Sequence, residues 1–200
     1  MIEDWQGFVA DPLGSLFSGA GFVYYGGLIG GAIAVGWGAK HYYNIGFLRV
    51  ADCVAPGLVL AHGIGRIGCQ LAGDGDWGSV TTLPWGMAYE NAIIGWDYPP
   101  GVRVHPTPIY EMLAYFAIAG ILWRWRTALQ PEGTIFAWYL ILSSVARFLI
   151  EFVRINPPVL WDLSAAQCTA IALAIGGTAI LLSSRGTVTE AAALAARKQA

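Results

Sequence analysis

Charge is what this chain has least of. Lys, Arg, Asp and Glu make up 12% of its 200 residues, against roughly one quarter in an ordinary soluble domain. With 56% apolar residues and a mean hydropathy of +0.55, there are too few charges to keep a water-facing surface solvated. That balance is expected of an integral membrane protein. At about 20 residues per spanning helix, the length allows at most about six spans and short loops, which excludes a separate soluble domain. A single integral membrane domain over residues 1–200 is expected. The net charge of −2 and the lack of any basic tract exclude nucleic acid as a partner. Cysteine is scarce too. Cys53, Cys69 and Cys168 lie in apolar segments with no CxxC pair, so buried thiols are expected rather than a metal or redox centre, and no cofactor is called for. The acidic start, MIEDWQGF, lacks the basic-then-apolar pattern of a cleavable signal peptide.

What the chain does have is long uncharged runs. Five candidate spans lie at roughly 17–39, 47–71, 107–123, 134–153 and 163–183, giving an all-α, polytopic membrane helix bundle. The first is rich in glycine, which suits close helix packing in lipid. Pro56 should kink the second. Residues 72–106 form an outer cap holding Trp77, Trp85, Trp96 and Tyr98, side chains that favour headgroup depth, and residues 184–200 form a solvated, partly helical tail. With five spans, Lys40, Arg49, Arg124, Arg126, Arg185, Arg197 and Lys198 all fall on one side. The positive-inside rule makes that side cytoplasmic, with the N-terminus, the cap and the INPPVLW loop facing out.

Four basic residues remain on the outer half: Arg66, Arg103, Arg147 and Arg154. Arg66 and Arg147 fall within spans, where insertion costs about 2.5–3.5 kcal/mol each, so each needs a partner or a use. Arg147, Glu151 and Arg154 recur at i, i+4 and i+7 and share one helix face. That ladder reads either as an ion pair locking two helices or as part of a ligand site. Arg66 adds a third guanidinium within HGIGRIGCQLAGDGDWG, residues 62–78, where the acids able to neutralise it are few and glycine-flanked. A surplus of cations inside a membrane cavity points to a phosphate-bearing ligand. The glycines of that stretch serve either helix packing or close backbone approach to an anion. A second polar cluster, RVHPTPIYE at 103–111, places His105 ahead of two prolines, with Tyr110 and Glu111 opening the next helix. His105 and His62 each read as a hydrogen-bonded structural residue or as a base.

Taken in order, FVYYGGLIGG (22–31), LRVADCVAPGLVLAHGIGRIGCQLAGDGDWG (48–78), HPTPIYE (105–111) and ARFLIEFVR (146–154) resemble successive motifs of bacterial prolipoprotein diacylglyceryl transferases. The likeness runs from about residue 12 to 185 and centres on Gly65, Arg66 and Gly68. It implies transfer of the diacylglyceryl group of phosphatidylglycerol to the lipobox cysteine of a prolipoprotein, whose signal peptide would be bound, in the bacterial inner membrane. By the same resemblance Arg66 and Arg147 hold the lipid phosphate, Glu151 fixes Arg147, and His105, then His62, is the candidate base for the thiol. The substrate-facing set it implies is Tyr25, Gly26, Gly27, His62, Gly65, Gly68, Asp74, Asp76, Tyr110, Glu111 and Arg154. Two departures stand out. Tyr25 occupies a position where some members carry His, and DGDWG replaces a turn bearing Asn and Glu, leaving Asp74 or Asp76 to supply the acid. Members of the family also carry a further span before YGGLIGG, so a shortened member or a fragment is expected. The other readings of the same features are a non-catalytic module binding anionic lipid or a partner protein, and a small transporter, the latter disfavoured by the lack of an inverted repeat.

Overall fold

The computed structural model describes residues 25–127, 131–160 and 162–199, with side chains at 30–127, 131–159 and 162–184. Two compact units are distinguished, residues 1–50 and 51–200. In the first, helix α1 (Tyr25–Tyr43) carries a run of glycine, alanine and branched aliphatic residues from Gly26 to Gly36 and ends on aromatic and basic side chains. It stops where Asn44 turns left-handed (φ 52°), so that the Ile45 N–H reaches back to the Ala39 carbonyl at 3.1 Å. Lys40 Nζ donates to Asn44 Oδ1 at 2.8 Å and holds that turn. The start of the expected first span, 17–24, lies outside the described residues.

Helix α2 (Phe47–Ala72) begins at the end of the first unit and carries Pro56 within it. The second unit adds α3 (Thr107–Trp125), α4 (Thr134–Glu151), a short antiparallel pair β1 (Pro158–Leu160) and β2 (Leu163–Ser164), and α5 (Ala165–Gln199). The protein is thus mostly helical, with five helices among the described residues. Three segments, Phe47–Ala72, Thr134–Glu151 and Ala165–Ser184, are long and apolar enough to cross a membrane. The expected spans under α1 and α3 do not reach that measure in the described residues; α3 carries Glu111 and Arg124 among its apolar side chains. The strand pair departs from a purely helical expectation. Its sequence, PPVLWDLS, opens with two prolines, which lack the N–H a helix needs and favour extended backbone. The backbone helix of α5 also continues through the expected tail to Gln199.

In the second unit, α4 packs against both α3 and α5. The core joins Ala55 and Val59 of α2 to Tyr115, Ile118, Ala119 and Leu122 of α3 and Ile135 of α4. In lipid, burying apolar side chains against each other gains little over leaving them against acyl chains, so close van der Waals fit carries more of the packing. Two glycines permit that fit. A Cβ on Gly63 would sit 2.7 Å from the Phe116 ring, and one on Gly177 2.8 Å from the Ala137 carbonyl oxygen. Large apolar side chains such as Leu149, Ile175 and Leu182 point outward, as a lipid-facing surface requires.

The two ends of this unit differ in chemistry. At one end Asp52 of α2 caps α4: its carboxylate accepts the Gly133 N–H at 2.6 Å and the Phe136 N–H at 2.8 Å. Gly133 is left-handed (φ 87°), and without Asp52 the first turn of α4 would leave donors unsatisfied in an apolar setting. The opposite end, where α2 and α4 finish and α3 begins, brings together Arg66, Glu111, Arg147, Glu151 and Arg154.

Candidate functional site

At that end α3 supplies the centre. Pro106 and Pro108 fix the backbone where the helix starts, and Glu111 lies one turn in with no solvent exposure. Three arginines converge on it. Arg66 Nε of α2 lies 2.5 Å from Glu111 Oε2, while Arg147 Nη1 of α4 and Arg154 Nη1, just past α4, lie 3.0 and 3.5 Å from Oε1. Glu151 is a second buried acid. It takes Arg147 Nη1 at 2.6 Å, faces Arg154 Nε at 3.6 Å, and accepts from Asn156 Nδ2 and Ser164 Oγ at 2.6 Å each. The ladder read from the sequence is therefore present, but Glu111 of another helix ties it together.

The third acid, Asp76, comes from the cap. Its carboxylate pairs with Arg66 Nη1 through Oδ2 and with Arg154 Nη2 through Oδ1. The surplus of cations expected from the sequence is corrected here: three guanidinium groups meet three carboxylates. The sequence hid this because Glu111 and Asp76 reach the arginines only through helix crossing and loop return, at separations of 10 to 78 residues. Burial raises the Asp76 pKa, but the hydrogen bond and charge of Arg154 and the charge of Arg66 outweigh it, so the carboxyl is held below its ordinary value.

The cap backbone explains how Asp76 arrives. Gly73 (φ 63°) and Gly75 (φ 90°) turn the chain left-handed just after α2. The Asp76 N–H then donates to Asp74 Oδ1 at 3.2 Å, and Thr107 Oγ donates to the Asp76 carbonyl. Gly78 pairs with Arg154 in an isolated antiparallel bridge, with the Ser79 N–H on the Val153 carbonyl at 2.8 Å. A Cβ on Gly78 would sit 2.2 Å from that carbonyl oxygen, so only glycine lets the cap meet the end of α4. Within the cap, Trp77 joins Tyr89 and Val104 in a small core with Trp96 and Tyr98 against it, while Trp85 is exposed.

The other sequence candidates fall around this network. His105 Nδ1 lies 3.2 Å from the Tyr110 hydroxyl, which accepts from Trp85 Nε1 at 2.8 Å. His62, one turn before Arg66, lies against Tyr115 with ring centroids 4.4 Å apart and the planes tilted by 32°. Gly65 and Gly68 face open space, with nothing within 4 Å of an added Cβ. Asp74 is exposed. For Tyr25, Gly26 and Gly27 only the helical backbone is described, so their side-chain placement lies outside the described residues. Cys69, expected as a buried thiol, is half-buried and joins the site: Arg66 Nη1 donates to its sulfur at 3.6 Å, a proximity implicit in their i, i+3 spacing on a helix. Cys69, Asp74 and Asp76 bring potential metal ligands within 4.8 Å of one another, but the two arginines already holding Asp76 oppose a cation there.

A family profile described as prolipoprotein diacylglyceryl transferase matches residues 4–183. The chain belongs to this family. Among curated relatives it is 36% identical over 181 residues to phosphatidylglycerol–prolipoprotein diacylglyceryl transferase 2 of Clostridium perfringens, covering 88% of this chain and 68% of that protein. The Clostridioides difficile enzyme of the corresponding name is 38% identical, covering 88% of this chain and 67% of its own length. The Clostridium tetani enzyme is 39% identical over 158 residues, 78% of this chain and 61% of its own length. Within the matched region, this prolipoprotein diacylglyceryl transferase family member holds all three arginines and all three acids of the network.

Proposed function

We propose that the chain transfers the diacylglyceryl group of phosphatidylglycerol to the lipobox cysteine thiol of prolipoproteins, the first step of bacterial lipoprotein maturation. The observation that carries this reading is the gathering of Arg66, Arg147 and Arg154 at one end of an apolar helix bundle, beneath a cap and beside lipid-facing surface. A phosphate in such a place finds fixed guanidinium donors in a medium of low dielectric, where they act more strongly on developing charge than they would in water.

The chemistry follows from that placement. The thiol sulfur forms a bond to the glycerol carbon of the lipid, the bond from that carbon to the phosphate oxygen breaks, and glycerol 1-phosphate departs with the electron pair. Arg66 and Arg147 stabilise the negative charge gathering on the leaving phosphate; Glu111 and Glu151 fix the two guanidinium groups. His105 is our first choice to take the thiol proton, with His62 second. Tyr110 engages His105 Nδ1, so exchange with a thiol would use Nε2. Gly65, Gly68 and Asp74 line the approach for lipid and peptide. The chain crosses the inner membrane five times as one domain, N-terminus and cap outside, residues 184–200 cytoplasmic.

The test is transfer of labelled diacylglyceryl from phosphatidylglycerol to a lipobox peptide in proteoliposomes. Arg66→Lys keeps the charge but loses the planar fork and should fall by at least about tenfold, equal to roughly 1.4 kcal/mol of transition-state stabilisation, with Arg66→Ala lower still. Full activity in Arg66→Ala removes the central cation from the mechanism. Wild-type protein that binds phosphatidylglycerol and transfers nothing would instead be a lipid-binding module.

A further inference from the structure

We infer that the Asp76 carboxylate occupies the seat of the lipid phosphate, so that the headgroup binds by exchanging a phosphate for this carboxylate between Arg66 and Arg154. The inference rests on the phosphate reading above and says which two of the three arginines touch the phosphate.

Any anion entering the network must either crowd onto guanidinium groups already engaged or take the place of a carboxylate. The three carboxylates are not equally replaceable. Glu111 is anchored in α3 with no exposed side-chain surface and holds three arginines. Glu151 is 2% exposed and is also held by Asn156 and Ser164. Asp76 is 28% exposed and sits on a loop just after the left-handed Gly75. It is the acid of the three with open space beside its carboxylate and a loop rather than a packed helix beneath it. The arginine it would vacate on the α2 side, Arg66, keeps Glu111 as an anchor, and Arg154 keeps both Glu111 and Glu151.

The binding geometry also transfers. Asp76 spans two guanidinium groups with two oxygens, Oδ2 to Arg66 and Oδ1 to Arg154. Two non-bridging oxygens of a phosphate present the same forked pair of acceptors to the same donors. Charge is conserved on entry, because a phosphodiester carries one negative charge, as the carboxylate does. A monoester product carries roughly −1.5 to −2 and so competes with Asp76 more strongly than the diester does. The carboxylate thus keeps the arginines neutralised and in place while no lipid is bound, and it helps the product leave by returning. Arg147, which the family resemblance puts on the phosphate, is here engaged by Glu111 and Glu151 and acts on the leaving phosphate through its charge rather than by contact.

The probe is labelled glycerol 1-phosphate, measured by equilibrium binding to the full chain in phosphatidylcholine nanodiscs; a second arm measures KM for phosphatidylglycerol in vesicles. Asp76→Asn should bind the probe at least about threefold more tightly, lower KM by a similar factor, and lose the gain when Arg154→Ala is added. Thr107→Val covers the case in which Asp76→Asn does not fold. It removes the hydroxyl that holds the Asp76 carbonyl, leaves every charge in place, and should also tighten binding. Folded Asp76→Asn with unchanged or weaker binding overturns the exchange, as does unchanged binding in Thr107→Val. The two readings fail separately. Tighter probe binding with no transfer by the wild type keeps the exchange and removes the catalytic reading, whereas Arg66-dependent transfer with no response to either variant removes the exchange alone.

Discussion

Replacing Glu111 with Gln keeps the size and one acceptor oxygen of the side chain and removes the charge that three arginines share. The group is wholly buried, and its oxygens lie 2.5, 3.0 and 3.5 Å from Arg66, Arg147 and Arg154. Removing one partner of a buried ion pair costs about 3–5 kcal/mol, because the remaining charge stays buried. Here Glu151 and Asp76 still compensate two of the three cations, which argues for the lower end. The cost expected is about 3 kcal/mol, or roughly a hundredfold in the unfolding equilibrium at about 1.4 kcal/mol per decade. Chemical unfolding in detergent micelles, followed by helix content, would measure it. A cycle with Arg66→Gln should show a coupling of at least about 1 kcal/mol, since the second change removes one of the orphaned cations. Transfer activity should fall in the single variant, because Arg66 and Arg147 lose their common anchor. A loss of stability below about 1 kcal/mol, with no coupling to Arg66, would mean that the network does not hold the helix ends together and that the reasoning about Glu111 is wrong.

Asp52→Ala should cost about 1–2 kcal/mol in the same unfolding assay through loss of the α4 cap, with specific transfer activity kept in the protein that folds; a selective loss of activity would tie the capped end to catalysis. Reporter fusions at Ala200 and near Pro99 should report opposite compartments, cytoplasmic and outer, and the same compartment for both would refute the five-span topology. Because the Asp76 carboxyl is held below its ordinary pKa of 3.8, its contribution to stability should be complete above that value and disappear as pH falls through the lower folded-state value. Acid unfolding of Asp76→Asn should lack that part of the transition, and an identical acid profile in both proteins would count against the pairing.

How much was legible beforehand differs from element to element. Low charge and uncharged length marked the membrane class and the helices, because a bilayer demands apolar runs whose backbone bonds close within the segment. Arg147, Glu151 and Arg154 were readable as a ladder because helical periodicity is local. Arg66 was conspicuous because a guanidinium within a span is costly enough to require an explanation. The motif order also sufficed for the family resemblance. Tertiary structure decided the rest: that Glu111 is the hub, that Asp76 returns from the cap to bridge Arg66 and Arg154, that Asp52 caps α4, and that Trp77 is cap core. Each of these depends on which residues a helix crossing or a turn brings together, from 10 positions apart for Arg66 and Asp76 to 81 for Asp52 and Gly133. The charge of a side chain is written in the sequence, but its neutralisation depends on distance in space, and only the packed chain sets that distance.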